Sequence, residues 1–384
     1  MIPYGKHEIN KNDIDNVIEA LKSGTITQGS FLNSFERSIC DYTKAKFSVA
    51  VNSGTSALHI SCMALGLSKG DLLWTSPITF VASANCGLYC GASIDFVDIN
   101  PKSYNIDVDK LRDKLYKAKS NNTLPKIIII VHFSGLSCEM KEIYDLSLEY
   151  GFSIIEDACH AIGGKYQDKP IGCSIYSSIT VFSFHPVKLM TTGEGGIAVT
   201  NNEDIFLKMN LLRSHGITRD ESNMEDPISK GDWYYQQIDL GFNYRMTDIQ
   251  AALGISQLKR LDSNIKKRHL IAKRYNSLLC DMNVQLPVIE SSNKFSALHL
   301  YVIRIKNKKS NKDIINSLRR NGVGAMLHYI PVHTQPYYKK LREKYENLDN
   351  SIDYYNEAIT LPMHHQVTTD DQDKVVFELE KYLK

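Results

Sequence analysis

No two cysteines in this chain have CxxC spacing, and no cysteine–histidine pattern has the spacing of a zinc site. The eight cysteines, Cys40, Cys62, Cys86, Cys90, Cys138, Cys159, Cys173 and Cys280, lie mostly in apolar surroundings. That placement suits reduced thiols in a cytoplasm better than a disulfide framework. Long hydrophobic runs are missing: the longest purely aliphatic stretch, Ile127 to Val131, is far too short to span a bilayer. The opening MIPYGKHEINKND carries no apolar segment of signal-peptide type. Charge of one sign is also lacking, with 45 Lys+Arg against 43 Asp+Glu, so no strong field draws nucleic acid or a membrane surface. These absences predict a cytoplasmic protein with no metal centre, no nucleic-acid partner and no membrane span. Internal repeats and low-complexity tracts are missing as well.

What is present is an ordinary globular composition, 43% hydrophobic and 23% charged, over 384 residues. Single cores stop growing near roughly 250–300 residues, so two domains are expected. Ile14, Val17, Ile18 and Leu21 recur at helical spacing before Gly24, and Phe31, Phe35 and Ile39 mark a second helix. Short apolar strands at 49–51, 94–97, 126–131, 153–155, 179–184 and 197–200 then alternate with helices. That rhythm predicts an α/β domain with a largely parallel sheet covered on both faces. From Thr247, a good N-cap, a long helix runs through Ile249, Leu253, Leu258, Leu261 and Ile265, with or without a break, to about Leu279. A shorter α/β unit follows, with a strand at 298–305, a helix near 313–320 and an extended stretch at 325–332. The boundary is placed near residue 260, giving domains 1–260 and 261–384. The basic cluster 306–312 reads as a solvated turn, and His364-His365, after a proline, as a surface feature of a loop.

Three segments carry chemistry. Val181-Phe-Ser-Phe-His-Pro-Val-Lys188 reads as a buried strand ending in one lysine, with the glycine-rich Thr192-Gly-Glu-Gly-Gly196 close behind. A partly desolvated lysine loses its preference for the ammonium form, which frees the amine to attack a carbonyl. Gly54-Thr55-Ser56, between a strand and an apolar helix, offers free amides and two hydroxyls, which is a phosphate cradle or an ordinary capped helix. Ser153-Ile-Ile-Glu-Asp157 ends a strand in carboxylates, where ligands collect in open α/β sheets, or where Asp157 caps the next helix. Gly193-Glu-Gly195-Gly-Ile-Ala198 fits the loose dinucleotide pattern GxGxxA. Its glycines lead into a strand and not a helix, which argues against a nicotinamide dehydrogenase.

Together these segments resemble the DegT/DnrJ/EryC1/StrS sugar aminotransferases, which use pyridoxal 5′-phosphate. The resemblance rests on Thr27-Gln-Gly29, Asn52-Ser-Gly-Thr-Ser-Ala-Leu58, Ser76-Pro-Ile-Thr-Phe80, Glu156-Asp-Ala-Cys-His160 and Phe182-Ser-Phe-His-Pro-Val-Lys188. It continues through Thr192-Gly-Glu-Gly-Gly196, Arg213-Ser-His-Gly216, Gly241-Phe-Asn-Tyr-Arg-Met246 and His328-Tyr-Ile-Pro331. It implies fold type I: a large domain with a mostly parallel seven-stranded sheet and a smaller C-terminal α/β domain. By the same match Lys188 is the Schiff-base lysine and proton carrier, and Asp157 the partner of the pyridine nitrogen. Gly54, Thr55 and Ser183 match phosphate-binding positions, Phe80 a ring-stacking aromatic, and His160 a residue of the cofactor pocket. Asn243 matches a residue that reaches the cofactor phosphate from a neighbouring subunit, implying a homodimer with shared sites. Tyr4, Thr27, Gln28, His185, Glu194, His328 and Tyr329 match positions near the nucleotide sugar. Glu194, Arg213 and His215 have structural alternatives.

Members with histidine in place of the lysine dehydrate sugars, so Lys188 implies transamination. Ser76-Pro-Ile-Thr-Phe-Val81, Phe182-Ser-Phe-His185 and His328-Tyr-Ile-Pro331 resemble the subgroup that serves pseudaminic acid biosynthesis. Its substrates are a UDP-linked 2-acetamido-2,6-dideoxy-hexos-4-ulose and L-glutamate as amine donor. The alternatives are a dTDP- or GDP-linked 4-keto or 3-keto sugar, or a regulatory protein that keeps the fold without turnover.

Overall fold

The architecture follows from where the chain buries continuous apolar strands and where it breaks its helices. The computed structural model describes residues 1–225, 231–306, 310–342 and 345–383. Part of the basic cluster at 306–312 therefore lies outside the described residues.

The main sheet has seven strands: β1 (Phe47–Val51), β2 (Leu72–Thr75), β3 (Ser93–Phe96), β4 (Ile127–Val131), β5 (Ser153–Asp157), β6 (Ile179–Ser183) and β7 (Gly196–Thr200). They lie in the order β1-β7-β6-β5-β4-β2-β3, and only β7 runs antiparallel to its neighbours. Every residue of β4, IIIIV, is buried, as expected for a parallel strand covered on both faces. The pairs Val51↔Gly196 and Ser183↔Gly196 place the start of β7 beside the ends of β1 and β6. The turn entering β7 therefore joins the carboxyl edge of the sheet, where the ends of β1, β5 and β6 also converge. The sequence reading of the sheet omitted β2, whose four residues are too short to show a period.

On one side of the chain's start, α1 (Lys11–Lys22) is held by its polar face. Asp13, fully buried, accepts hydrogen bonds from both Arg260 terminal nitrogens and from Gln257. The apolar residues expected to face the core point out instead: Ile14 is 51% and Leu21 55% exposed. The buried ion pair at Asp13, with the small Ala20 at the contact, sets the helix rotation. After α2 (Ser30–Thr43) and β1, α3 (Gly54–Ala64) starts at the Ser53 N-cap, whose side chain accepts from Ser56 N at 3.1 Å. Next in the chain, α4 (Ala82–Tyr89) follows β2 and the Ser76–Phe80 turn.

The expected long helix is two, α5 (Asp248–Leu258) and α6 (Leu261–Leu279), broken at Lys259–Arg260. Thr247 caps α5 with a capping box to Gln250. Leu261 and Ile265 pack with the main-sheet residues Phe182, Ile197 and Val199, whereas Ile271, Tyr275 and Leu279 belong to a separate C-terminal core. That second core surrounds the antiparallel pair β8 (Tyr301–Arg304) and β9 (Ala358–Leu361), with α7 (Asn311–Arg320) and α8 (Thr369–Leu383) against it. The stretch 325–332 carries an isolated bridge, Met326↔Thr360, on β9. His364 and His365 are not a surface feature. His364 is buried, and His365 Nε2 donates to Glu8 Oε2 at 2.8 Å, because the chain's first residues fold back over them.

Among the described residues, no helix is long and apolar enough to cross a membrane, and no group of His, Cys, Asp or Glu could hold a metal ion. All eight cysteines are free; Cys62, Cys86 and Cys138 are buried, Cys280 is exposed, and the others are half-buried.

Candidate active site

A cavity of about 830 Å³ opens between the carboxyl edge of the main sheet and the C-terminal unit. Its floor follows from the strand ends. At the end of β1 the chain turns through Asn52-Ser53 into α3. Ser53 satisfies Ser56 N, but the amides of Gly54 and Thr55 have no acceptor among the described residues. Gly54 is required here: a Cβ would sit 2.9 Å from Ser183 Cβ and 3.4 Å from Cys159 Sγ. The bare helix start is thus pressed against the Ser183 hydroxyl, which forms a concave anion site.

Asp157, at the end of β5, faces the same space and is 7% exposed. Its Oδ1 accepts from Cys159 N at 3.2 Å and its Oδ2 from Ser83 Oγ at 2.6 Å. Lys188 does not end a strand. β6 stops at Ser183, and Lys188 lies five residues on, in the turn closed by Lys188 N to His185 O at 2.9 Å. The Pro186 ring cannot donate to a strand ladder, so pairing stops before it. Its amine has no hydrogen bond or ion pair among the described residues. Burial lowers its pKa, against the opposing pull of Cys159 and Asp157, and favours the free amine.

A wall of aromatics faces the lysine. Ser134 N donates to His160 Nδ1 at 3.3 Å, so the His160 proton lies on Nε2 and is shared with Tyr329 Oη at 3.1 Å. Burial, followed by repulsion from Lys188 and His328, pushes His160 well below the ordinary histidine range. His299 packs against His160 with ring centroids 4.3 Å apart and planes tilted by 44°, and its buried Nδ1 has no hydrogen-bond partner among the described residues. Burial also lowers His328, to about 3, with its Nδ1 3.0 Å from Thr360 Oγ1. Tyr4 packs against His328, with ring centroids 5.0 Å apart and planes tilted by 51°. Phe80 stands at the rim, 58% exposed, with its ring 6.2 Å from that of Tyr329.

The cavity thus gathers Gly54, Thr55, Phe80, Asp157, His160, Ser183 and Lys188, and with them Tyr4, His185, Glu194, His328 and Tyr329. His185 Nε2 and Glu194 Oε1 are 3.9 Å apart at the solvent side. Within one chain Thr27, Gln28 and Asn243 do not line it. A bridge between Thr27 and Thr247 holds the first pair elsewhere, and Gln28 lines a separate groove with His215 and Arg245. Asn243 is exposed, and its carbonyl oxygen is 3.5 Å from Asn52 Nδ2. Arg213 takes its structural alternative: it pairs with Glu36 and donates to Ala50 O at 2.9 Å. Ser83 and His299 were not singled out from the sequence. Neither residue lies in a chemical motif, and only the folded distances reveal them.

These residues fit pyridoxal 5′-phosphate on the structure's own terms. An unpartnered amine of lowered basicity, a buried carboxylate and a glycine-walled cradle of free amides share one cavity. The chain matches the DegT/DnrJ/EryC1/StrS aminotransferase family model over residues 7–380. It is 37% identical to the UDP-4-amino-4,6-dideoxy-N-acetyl-beta-L-altrosamine transaminase of Campylobacter jejuni subsp. jejuni, covering 100% of this chain and 99% of that one. Among solved structures it superposes with a TM-score of 0.90 and 31% identity on Helicobacter pylori PseC, an aminotransferase involved in the biosynthesis of pseudoaminic acid. That match covers 100% of this chain and 99% of the other. A sugar aminotransferase of Streptococcus pneumoniae in its PMP form gives a TM-score of 0.89 at 27% identity, covering 99% and 98%.

Proposed function

This chain belongs to the DegT/DnrJ/EryC1/StrS aminotransferase family, and we propose that it transfers an amino group from L-glutamate to carbon 4 of a UDP-linked 2-acetamido-2,6-dideoxy-hexos-4-ulose. The product is UDP-4-amino-4,6-dideoxy-N-acetyl-β-L-altrosamine, for pseudaminic acid biosynthesis. The observation that carries the reading is the unpartnered Lys188 amine, lowered in basicity by burial, in one cavity with Asp157 and the Gly54–Thr55 amides.

When bound, pyridoxal 5′-phosphate supplies an aldehyde that takes up amines and a ring that absorbs electron density. The chain's residues do the rest. Gly54, Thr55 and Ser183 would hold the phosphate, and Asp157 would keep the ring nitrogen protonated. Phe80 would pack against the ring. Lys188 would hold the cofactor at rest and then, as a free amine, carry a proton to carbon 4 of the sugar. His160, fixed neutral by Ser134 N–H, orients the Tyr329 hydroxyl towards the same space. The nucleotide supplies binding energy remote from the reacting carbon, with Tyr4, His185, Glu194, His328 and Tyr329 on the substrate side.

The functional unit is a cytoplasmic homodimer in which Asn243 of each copy completes the other's site, and Thr27 and Gln28 lie near the nucleotide sugar in that assembly. Their exposure away from their own cavity supports that arrangement. The large domain is assigned to 1–260 and the small one to 261–384, with Leu261 and Ile265 at the start of α6 still packed on the main sheet. Incubation with glutamate and a panel of UDP-, dTDP- and GDP-linked keto sugars, with products identified by mass and NMR, tests the assignment. The UDP-linked 4-ketose should give the 4-amino sugar fastest. Preference for a dTDP or GDP sugar, or amination at carbon 3, would contradict it.

A further inference from the structure

We infer that Ser83 is a positioning residue that fixes the Asp157 carboxylate, an inference that rests on the function proposed above. Asp157 ends a strand, and its side chain has two free torsions with which to turn away from the cavity. The Cys159 amide holds one oxygen at 3.2 Å. The other is held from a different element: Ser83, in the first turn of α4, donates from Oγ to Asp157 Oδ2 at 2.6 Å. With one oxygen gripped by its own strand end and the other by a separate helix, both torsions are set.

The direction of the chain of hydroxyls is fixed by chemistry. A carboxylate cannot donate, so the single Ser83 hydroxyl proton goes to Asp157. Ser83 Oγ then accepts from Thr79 Oγ1 at 2.7 Å, which makes the order Thr79 to Ser83 to Asp157. The competing acceptor, Phe80 O, is farther away at 3.3 Å. Ser83 is wholly buried, between the core residues Ala82 and Ala84. In such surroundings a hydroxyl without a partner is costly, and alanine would pack as well. What the hydroxyl adds at this position is its grip on Asp157. A hydrogen bond to an ionised acceptor is among the stronger kinds, so the grip is firm enough to matter.

The test measures the dissociation constant of pyridoxal 5′-phosphate for the cofactor-stripped protein from its visible absorption band. It uses the wild type, Ser83→Ala, Asp157→Ala and the double variant, with thermal unfolding of each stripped protein alongside. Ser83→Ala should weaken cofactor binding by about tenfold or more in the wild type, yet by less than about twofold in the Asp157→Ala background. The proposal is overturned if Ser83→Ala binds within about twofold of wild type, or if it loses the same factor in both backgrounds. In the second case the serine acts through general packing. A wild type that takes up no cofactor refutes the functional reading and this proposal with it. A wild type that binds well beside an equally good Ser83→Ala refutes the proposal alone.

Discussion

Replacing Gly196 with alanine asks whether the glycine-rich turn exists to let β7 press against the phosphate cradle. A Cβ at residue 196 would lie 2.4 Å from the carbonyl carbon and oxygen of Ser53 and 2.5 Å from Gly54 N. All three are backbone atoms, so no side chain can swing aside. Ordinary contact begins near 3.4 Å, so the two segments must separate by about 1 Å, an overpacking that costs ~1–3 kcal/mol. In domains of this size that lowers Tm by about 2–12 °C. Ser53 is the N-cap of α3, so the displacement carries the free amides of Gly54 and Thr55 with it. A shift of that size at a reacting geometry costs about 100-fold in turnover. Differential scanning calorimetry and glutamate-dependent turnover read the two effects. Gly193→Ala is the control: its Cβ would meet nothing within 4 Å, but its φ of +82° is strained for alanine. It should cost about 1 kcal/mol of stability and leave the cradle intact. If Gly196→Ala melts within about 1 °C of wild type and turns over normally, the steric reasoning fails.

Other consequences follow from the same geometry. Asp13→Ala strips the Arg260 guanidinium of its carboxylate in a largely buried setting, so stability should fall by about 3–5 kcal/mol, read as the urea midpoint. An unchanged midpoint would mean that α1 is not anchored there. His160, His299 and His328 are held neutral in the fold with lowered pKa values. The unfolded chain takes up protons on them below about pH 6.5 and the folded one does not. Stability of the cofactor-stripped protein is therefore full above about pH 6.5 and falls as pH drops towards 3, by about 1.4 kcal/mol per pH unit for each histidine. His328→Gln should flatten that acid limb in a pH series of thermal melts; an identical slope would show that His328 protonates freely in the folded state. Mixing inactive Lys188→Ala with inactive Asn243→Ala protein should restore activity in mixed dimers if copies share sites, and no restoration contradicts the sharing.

Much of the site was legible in the sequence because chemistry and strand ends coincide. Asp157 closes an apolar run and Gly54 follows another, so each motif announced both a residue type and a place in an α/β sheet. Three things were hidden. β2, Leu72–Thr75, is four residues long and shows no alternation, so a central strand escaped notice. Lys188 looked like a strand end because Phe184 and Val187 extend the apolar run, although Pro186 stops the pairing. The rotation of α1 was read from its isoleucines, but the buried Asp13 ion pair with Arg260, 247 residues away, decides it. Contacts at that separation leave no local pattern, and the same holds for Ser83 against Asp157 and for His299 against His160.

Borohydride reduction of the protein loaded with pyridoxal 5′-phosphate, followed by peptide mapping, tests the central claim most directly. The peptide bearing Lys188 should gain the reduced cofactor's mass, and Lys188→Ala protein, still folded, should gain none there. A label on another residue, or no label at all, would contradict the account.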